Sequence, residues 1–225
     1  MQTLYGRALR SSLFSTLLMA ALLLLPAGTL NYWQAWVFMA VFAAASAAVT
    51  VYLAIHDPKL LERRMRAGPA AEKERSQRFI IFLAMMGFIG LLVVPAFDHR
   101  FGWSRVATYV CLIGDGLIAI GFLCVFFVLK VNTYAASTIQ VAEDQEVVST
   151  GPYAFVRHPM YAGSLPILVG TPLALGSWWS LLLIPLFILV LYFRIANEEK
   201  VLLRDLPGYA EYRQNVRYRL IPGLF

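Results

Sequence analysis

Residues 151–163 read Gly-Pro-Tyr-Ala-Phe-Val-Arg-His-Pro-Met-Tyr-Ala-Gly and lead directly into an apolar stretch that continues to Phe193. A cation, an imidazole, two tyrosines and two prolines sit within one turn-rich island. The apolar stretch behind it is broken only at Gly176-Ser177, so it reads as a tight, shallow helical hairpin of segments 161–175 and 178–193. Fifteen residues of helix reach only about 23 Å, less than the ~30 Å of a bilayer's hydrocarbon core. Stiff, polar chemistry at the edge of such a hairpin is costly to keep and marks a site.

Upstream of the hairpin, four more apolar segments can be drawn, at about 13–30, 33–55, 79–97 and 106–131. The chain of 225 residues is 60% hydrophobic and only 14% charged. A soluble domain carries nearer ~25% charged residues. These features predict an all-α, polytopic integral membrane bundle of about six spans, ending in a C-terminal helical hairpin and a cytoplasmic tail. It divides at the polar island's approach, with a four-span region at 1–131. The loop, hairpin and tail occupy 132–225, and the two parts form one integrated bundle.

The net charge of +6 does not point to nucleic acid, because the basic residues sit at span ends. All but Arg100 and Arg105 of the 19 Lys and Arg residues fall on one side of a six-span topology. That side is predicted to be cytoplasmic and to hold both termini. All five tryptophans, Trp33, Trp36, Trp103, Trp178 and Trp179, fall at the opposite boundary, as an interfacial aromatic belt would. Cys111 and Cys124 lie inside one apolar span and read as small hydrophobes. His56 and His99 have no ligand spacing, so no metal site is expected. The loop 57–78 carries both signs of charge and reads as a solvated amphipathic helix.

Within the island, Pro159 drives His158 toward extended backbone, Gly163 lets a helix or ligand approach closely, and Arg157 can clamp a carboxylate. An interfacial belt with one snorkelling Arg would explain the tyrosines and Arg157 but not the proline frame around His158. The island is answered after the hairpin by Glu198-Glu199. Alone these would be a solvated helix face; beside an Arg-His island, a ribose-binding carboxylate becomes a candidate role. Glu198 shares a helical face with Leu202, and Glu199 with Leu203. Pro207-Gly208 breaks that helix, and Tyr209, Tyr212 and Val216 form one face of a short helix beyond it. Mid-span, Asp115 either serves a function or pairs with a helix neighbour, Lys130 being too far along. Gly114, Gly116 and Gly121 read as close-packing positions.

Gly-Pro-Tyr, Arg-His-Pro-x-Tyr-x-Gly, an apolar hairpin, Glu-Glu-x-x-Leu and Tyr-x-x-Tyr, in that order, resemble the isoprenylcysteine carboxyl methyltransferase family, whose core phospholipid N-methyltransferases share. The resemblance covers about 132–222. It implies an S-adenosylmethionine site built by the hairpin and tail, and a lipophilic or prenylated acceptor drawn from the membrane lipids. Tyr153, Arg157, His158, Pro159, Tyr161 and Gly163 would line the cofactor pocket, Glu198 and Glu199 would hold the cofactor's polar parts, and Leu203 would touch adenine. A carboxylate acceptor would need only desolvation and in-line placement, oriented by Arg157 or Arg217. An amine acceptor would need a base, His158 or Glu199. The tail Val-Arg-Tyr-Arg-Leu-Ile-Pro at 216–222 also resembles membrane sterol reductases, which share Arg-His-Pro-x-Tyr, and in which related residues hold NADPH. On that alternative, Glu199→Ala would be tolerated; on the methyltransferase reading, Glu199→Ala and His158→Ala would both abolish S-adenosylhomocysteine binding.

Overall fold

The computed structural model describes residues 4–72, 74–142 and 144–224. Its regular elements are α1 (Leu4–Ala27), α2 (Trp33–His56), α3 (Pro58–Met65), α4 (Arg75–Phe101), α5 (Thr108–Val131), α6 (Pro159–Ala174), α7 (Ile184–Asp205) and α8 (Tyr209–Asn215). Short 3-10 turns occur at Pro69–Ala71, Gly151–Ala154 and Trp179–Leu183. No strand occurs among the described residues, and the chain is an all-helical membrane bundle.

Five helices, α1, α2, α4, α5 and α7 with its preceding turn, are long and apolar enough to cross a bilayer. The sixth predicted segment is α6, which at 16 residues spans about 24 Å. Within the apolar windows of the five long helices only 17–33% of residues are buried by protein, so their outer faces expose apolar side chains to the surroundings. A lipid solvent accounts for that pattern; water does not.

The chain alternates so that the α1–α2, α4–α5 and α6–α7 connections gather at one end. Buried Asp98 organises this end. It accepts from the Ser104 N–H at 2.6 Å, from the Ser104 hydroxyl at 2.6 Å and from the Ser177 hydroxyl at 2.5 Å. The Tyr32 hydroxyl donates to the Leu175 carbonyl at 2.7 Å, tying α2 to the end of α6. The five tryptophans are exposed around this same end.

The hairpin departs from expectation in its packing. Its turn does fall at Gly176, in the left-handed region at φ +74°. However, α6 lies along α5 over its whole length and touches α7 in few places. The reason is glycine. A Cβ on Gly114 would collide with the Ala174 backbone, and one on Gly121 would strike Ile167 and come within 2.9 Å of the Gly163 carbonyl. Small residues let two backbones meet and gain dispersion contacts that lipid cannot supply. Gly116 faces open space and takes no part in this seam. Asp115, beside it, is buried, and neither carboxylate oxygen finds a partner among the described residues.

The loop 57–78 was expected to be solvated and is only partly so. Asp57 caps α3 by accepting from the Leu60 N–H at 2.9 Å, and Leu60 and Leu61 turn inward. Glu72 is only 2% exposed and reaches across the bundle to α7.

Candidate functional site

The island, the end of α7 and the tail converge at the end opposite the tryptophans. Pro159 occupies the first turn of α6, and His158 before it is held at φ −123°, ψ 62°, outside the helical region. That exposes the backbone N–H groups of Arg157 and His158, which donate to the carbonyls of Tyr218 and Arg219 at 2.9 Å each. The tail is thus laid against the island by main-chain hydrogen bonds.

Charge locks the same junction. The Arg157 Nε donates to Glu199 Oε1 at 2.7 Å, and its Nη1 donates to the carbonyls of Val216 and Arg217, both at 2.7 Å. Arg219 donates to the other Glu199 oxygen at 3.0 and 3.2 Å. The His158 Nε2 lies 3.4 Å from Glu199 Oε1. Glu199 is therefore surrounded by Arg157, His158 and Arg219, and both its oxygens are occupied. It does not line the cleft described below.

Its neighbour faces elsewhere. Consecutive helical residues point about 100° apart, so Glu198 turns toward the open side, where its Oε2 accepts from the Tyr161 hydroxyl at 2.6 Å. The Tyr161 oxygen also accepts from Arg194 Nε at 3.2 Å. Arg194 in turn donates to Glu72 Oε1 and Gln77 Oε1, each at 2.6 Å, and to the Ser137 carbonyl at 3.3 Å. A chain of contacts thus runs from the loop before α4, through α7, to Glu198.

These groups border a cleft holding about 830 Å³ of space unfilled by protein atoms, its mouth included. Tyr153, Arg157, His158, Pro159, Tyr161 and Glu198 line it, together with Asn132, Leu202, Tyr209, Tyr212 and the segment 134–148 in part. The Asn132 amide donates to the Tyr153 hydroxyl at 2.7 Å, and the Tyr212 hydroxyl donates to the Tyr153 carbonyl at 2.8 Å. Burial pushes the Tyr153 phenol up to about 12, and burial likewise raises those of Tyr209 and Tyr212, so all three keep their protons. The Tyr209 hydroxyl is buried and has no hydrogen-bond partner among the described residues.

Besides Glu199, three predicted residues fall outside the cleft. Gly163 packs against Cys124 and Val125 of α5, so its missing side chain serves the helix seam. Leu203 is exposed; the 3.6-residue period puts Leu202 beneath Glu198 instead. Arg217 is exposed and contributes only its carbonyl, while Arg219 makes the ion pair. Sequence reasoning missed Arg219, Arg194, Glu72 and Gln77. The one available signal was Arg194 itself, a cation four residues before Glu198 at the end of an apolar run. Glu199→Ala also loses its discriminating value: it breaks the tail's anchor whichever cofactor binds.

Beside the cleft, an apolar groove runs between α4, α6 and α7, walled by residues such as Ile80, Phe88, Leu168 and Leu191. It ends at Tyr161 and Arg194, so Tyr161 borders both cavities.

Fold and site define a polytopic helical membrane protein with a tail-clamped polar cleft at one end. Comparison with known proteins finds similarity over the second half of the chain. The family model for phospholipid methyltransferases matches residues 109–206. Protein-S-isoprenylcysteine O-methyltransferase of Schizosaccharomyces pombe is 32% identical over 108 residues, 44% of this chain and 46% of that protein. The match thus spans about half the length of that relative. Both comparisons support the resemblance of the motifs to the isoprenylcysteine carboxyl methyltransferase-like family.

Proposed function

We propose that this protein transfers a methyl group from S-adenosylmethionine to a lipophilic acceptor taken from the bilayer, with the cleft and both termini on the cytoplasmic side. The observation that carries this reading is the charge of the cleft. Glu198 faces into it, and the buried Tyr209 hydroxyl waits there unpaired. Arg157 is the cation among its lining residues, and its Nε and Nη1 are already committed to Glu199 and two carbonyls. Such a lining suits a ligand bearing ammonium and sulfonium groups. A phosphate-rich nicotinamide cofactor would need uncommitted cations there. The flat faces of Tyr153, Tyr209 and Tyr212 suit an adenine and a sulfonium.

S-adenosylmethionine, when bound, supplies a methyl group already activated on sulfur. The protein's part is placement and exclusion of water. Tyr161 and Arg194 fix the Glu198 carboxylate, and the clamp of Arg157, Glu199 and Arg219 holds the tail against the island that lines the cleft. A carboxylate acceptor, already ionised, would need no proton removed by the protein. An amine acceptor must lose a proton; His158, 3.9 Å from Glu198, is placed to receive it. The test is transfer of tritium from methyl-labelled S-adenosylmethionine to panels of lipid acids and lipid amines by the detergent-purified protein. Label in the organic phase is expected. NADPH oxidation in the presence of unsaturated lipids, without methyl transfer, would overturn the proposal.

A further inference from the structure

Two carboxylates share one guanidinium at the edge of the cleft. Arg194 Nη1 lies 2.6 Å from Glu72 Oε1, the two side chains being only 8% and 1% exposed. On its other side the same guanidinium reaches Glu198 through Tyr161. A phenol has one proton to give. Here it goes to Glu198 Oε2 at 2.6 Å, and the Tyr161 oxygen accepts from Arg194 Nε at 3.2 Å. Gln77 Oε1 and the Ser137 carbonyl also accept from Arg194, but both are neutral. Among the described residues, Glu72 is the carboxylate in direct contact with this cation.

Glu72 has a second attachment. Its Oε2 accepts from the Ile139 N–H at 3.1 Å, and Ile139, with Thr138 and Gln140, walls the cleft. The two oxygens of one side chain therefore hold both the cation behind Glu198 and a stretch of cleft wall. Neither Glu72 nor Arg194 lines the cleft itself. Glu72 and Gln77 also fall outside residues 109–206, the stretch that the family model matches, so the first half of the chain contributes to this site.

We infer that Glu72 is a positioning residue: by neutralising Arg194 it leaves the charge of Glu198 free for a ligand's ammonium group, and through Ile139 it sets the cleft wall. This rests on the methyl-transfer reading for the ligand's identity. A buried guanidinium without its counter-charge is costly. With Glu72 uncharged, Arg194 turns to the next carboxylate, Glu198, one hydroxyl away. The cleft then loses its anion although none of its lining residues has changed.

The experiment is calorimetric titration of the detergent-purified protein with S-adenosylhomocysteine and with methylthioadenosine, which keeps the nucleoside thioether but lacks the ammonium. Glu72→Gln should weaken S-adenosylhomocysteine about tenfold or more and leave methylthioadenosine within about threefold. Adding Arg194→Met removes the cation that captures Glu198, so the double variant should recover most of the lost affinity. Glu74→Gln, at an exposed carboxylate on the same segment, should change neither ligand. Equal loss of both ligands in Glu72→Gln, or a double variant no better than the single one, would overturn the inference and leave Glu72 a purely structural support. Unchanged S-adenosylhomocysteine binding would overturn it too. Should Glu72→Gln not fold, the double variant decides: affinity near the parent's supports the inference, and affinity as low as that of Glu198→Gln overturns it. Thermal melting without ligand gives an independent reading. Glu198→Gln, nearly silent in the parent, should cost the Glu72→Gln protein about 3 °C or more, because Glu198 has become the counter-ion of Arg194. Additive shifts would sink the inference. If S-adenosylhomocysteine does not bind the parent, the methyl-transfer reading falls, and the melting coupling still decides the role of Glu72.

Discussion

Replacing Glu199 by Gln keeps its shape and removes the anion that Arg157, His158 and Arg219 share. Arg157 and Glu199 side chains are only 6% and 5% exposed, so the variant leaves a guanidinium buried without its counter-charge. Breaking a buried pair from one side costs about 3–5 kcal/mol. The cheapest relief is for the tail to lift, which returns Arg157 to water. The population of the lifted state should therefore rise by about two to three and a half orders of magnitude. The amides of Arg157 and His158, bonded to the carbonyls of Tyr218 and Arg219, report that opening directly. Hydrogen exchange read by mass spectrometry on the peptide carrying residues 157 and 158 should accelerate by that factor. Arg219→Gln, removing a partner that is 26% exposed, should accelerate it far less, by about fivefold for a loss near 1 kcal/mol. Protection in Glu199→Gln within tenfold of the parent would refute the claim that this carboxylate anchors the tail.

Other outcomes follow from the same geometry. Gly114→Ala should lower the melting temperature sharply, since its methyl meets the Ala174 backbone, whereas Gly116→Ala, in open space, should leave it within about 2 °C. Asp98→Asn should destabilise by about 2–4 kcal/mol, because the replacement amide cannot accept from both serine hydroxyls and an N–H as the carboxylate does; equilibrium unfolding in mixed micelles checks this. Glu198→Gln should weaken S-adenosylhomocysteine at least tenfold with little change in melting, since this carboxylate faces the cleft while Glu199 carries the clamp; calorimetric titration separates the two roles.

How much of this the chain's sequence disclosed depends on the range of the interaction. Helices α2, α4 and α5 were legible within a few residues because lipid demands continuous apolar runs, whereas α1 begins nine residues before its apolar segment and α7 runs well past Phe193. The meeting of Arg157 and His158 with Glu198 and Glu199 was legible because both motifs fall at the same end of one hairpin. The division of labour between the two glutamates was not, since either could face the cleft until the helix's rotation against the tail was known. Glu72 looked like one charge among many in a mixed-sign loop, yet it pairs with Arg194, 122 positions away. Nothing local distinguishes a carboxylate that will be buried from one that stays in water. Among the tail's arginines Arg217 was the candidate, but the fold of the tail brings Arg219, two residues on, to Glu199. Leu203 was expected to touch adenine, yet both the Glu-Glu-x-x-Leu spacing and the helical period pair the cleft-facing Glu198 with Leu202.

The central claim is that the cleft takes a cationic methyl donor and not a phosphate-rich reductant. Calorimetric titration of the detergent-purified protein with S-adenosylhomocysteine and, separately, with NADPH tests it most directly, with Glu198→Gln run alongside. The account predicts micromolar binding of S-adenosylhomocysteine, weakened by Glu198→Gln, and no heat from NADPH. Binding of NADPH alone, or tightened by Glu198→Gln, would contradict it.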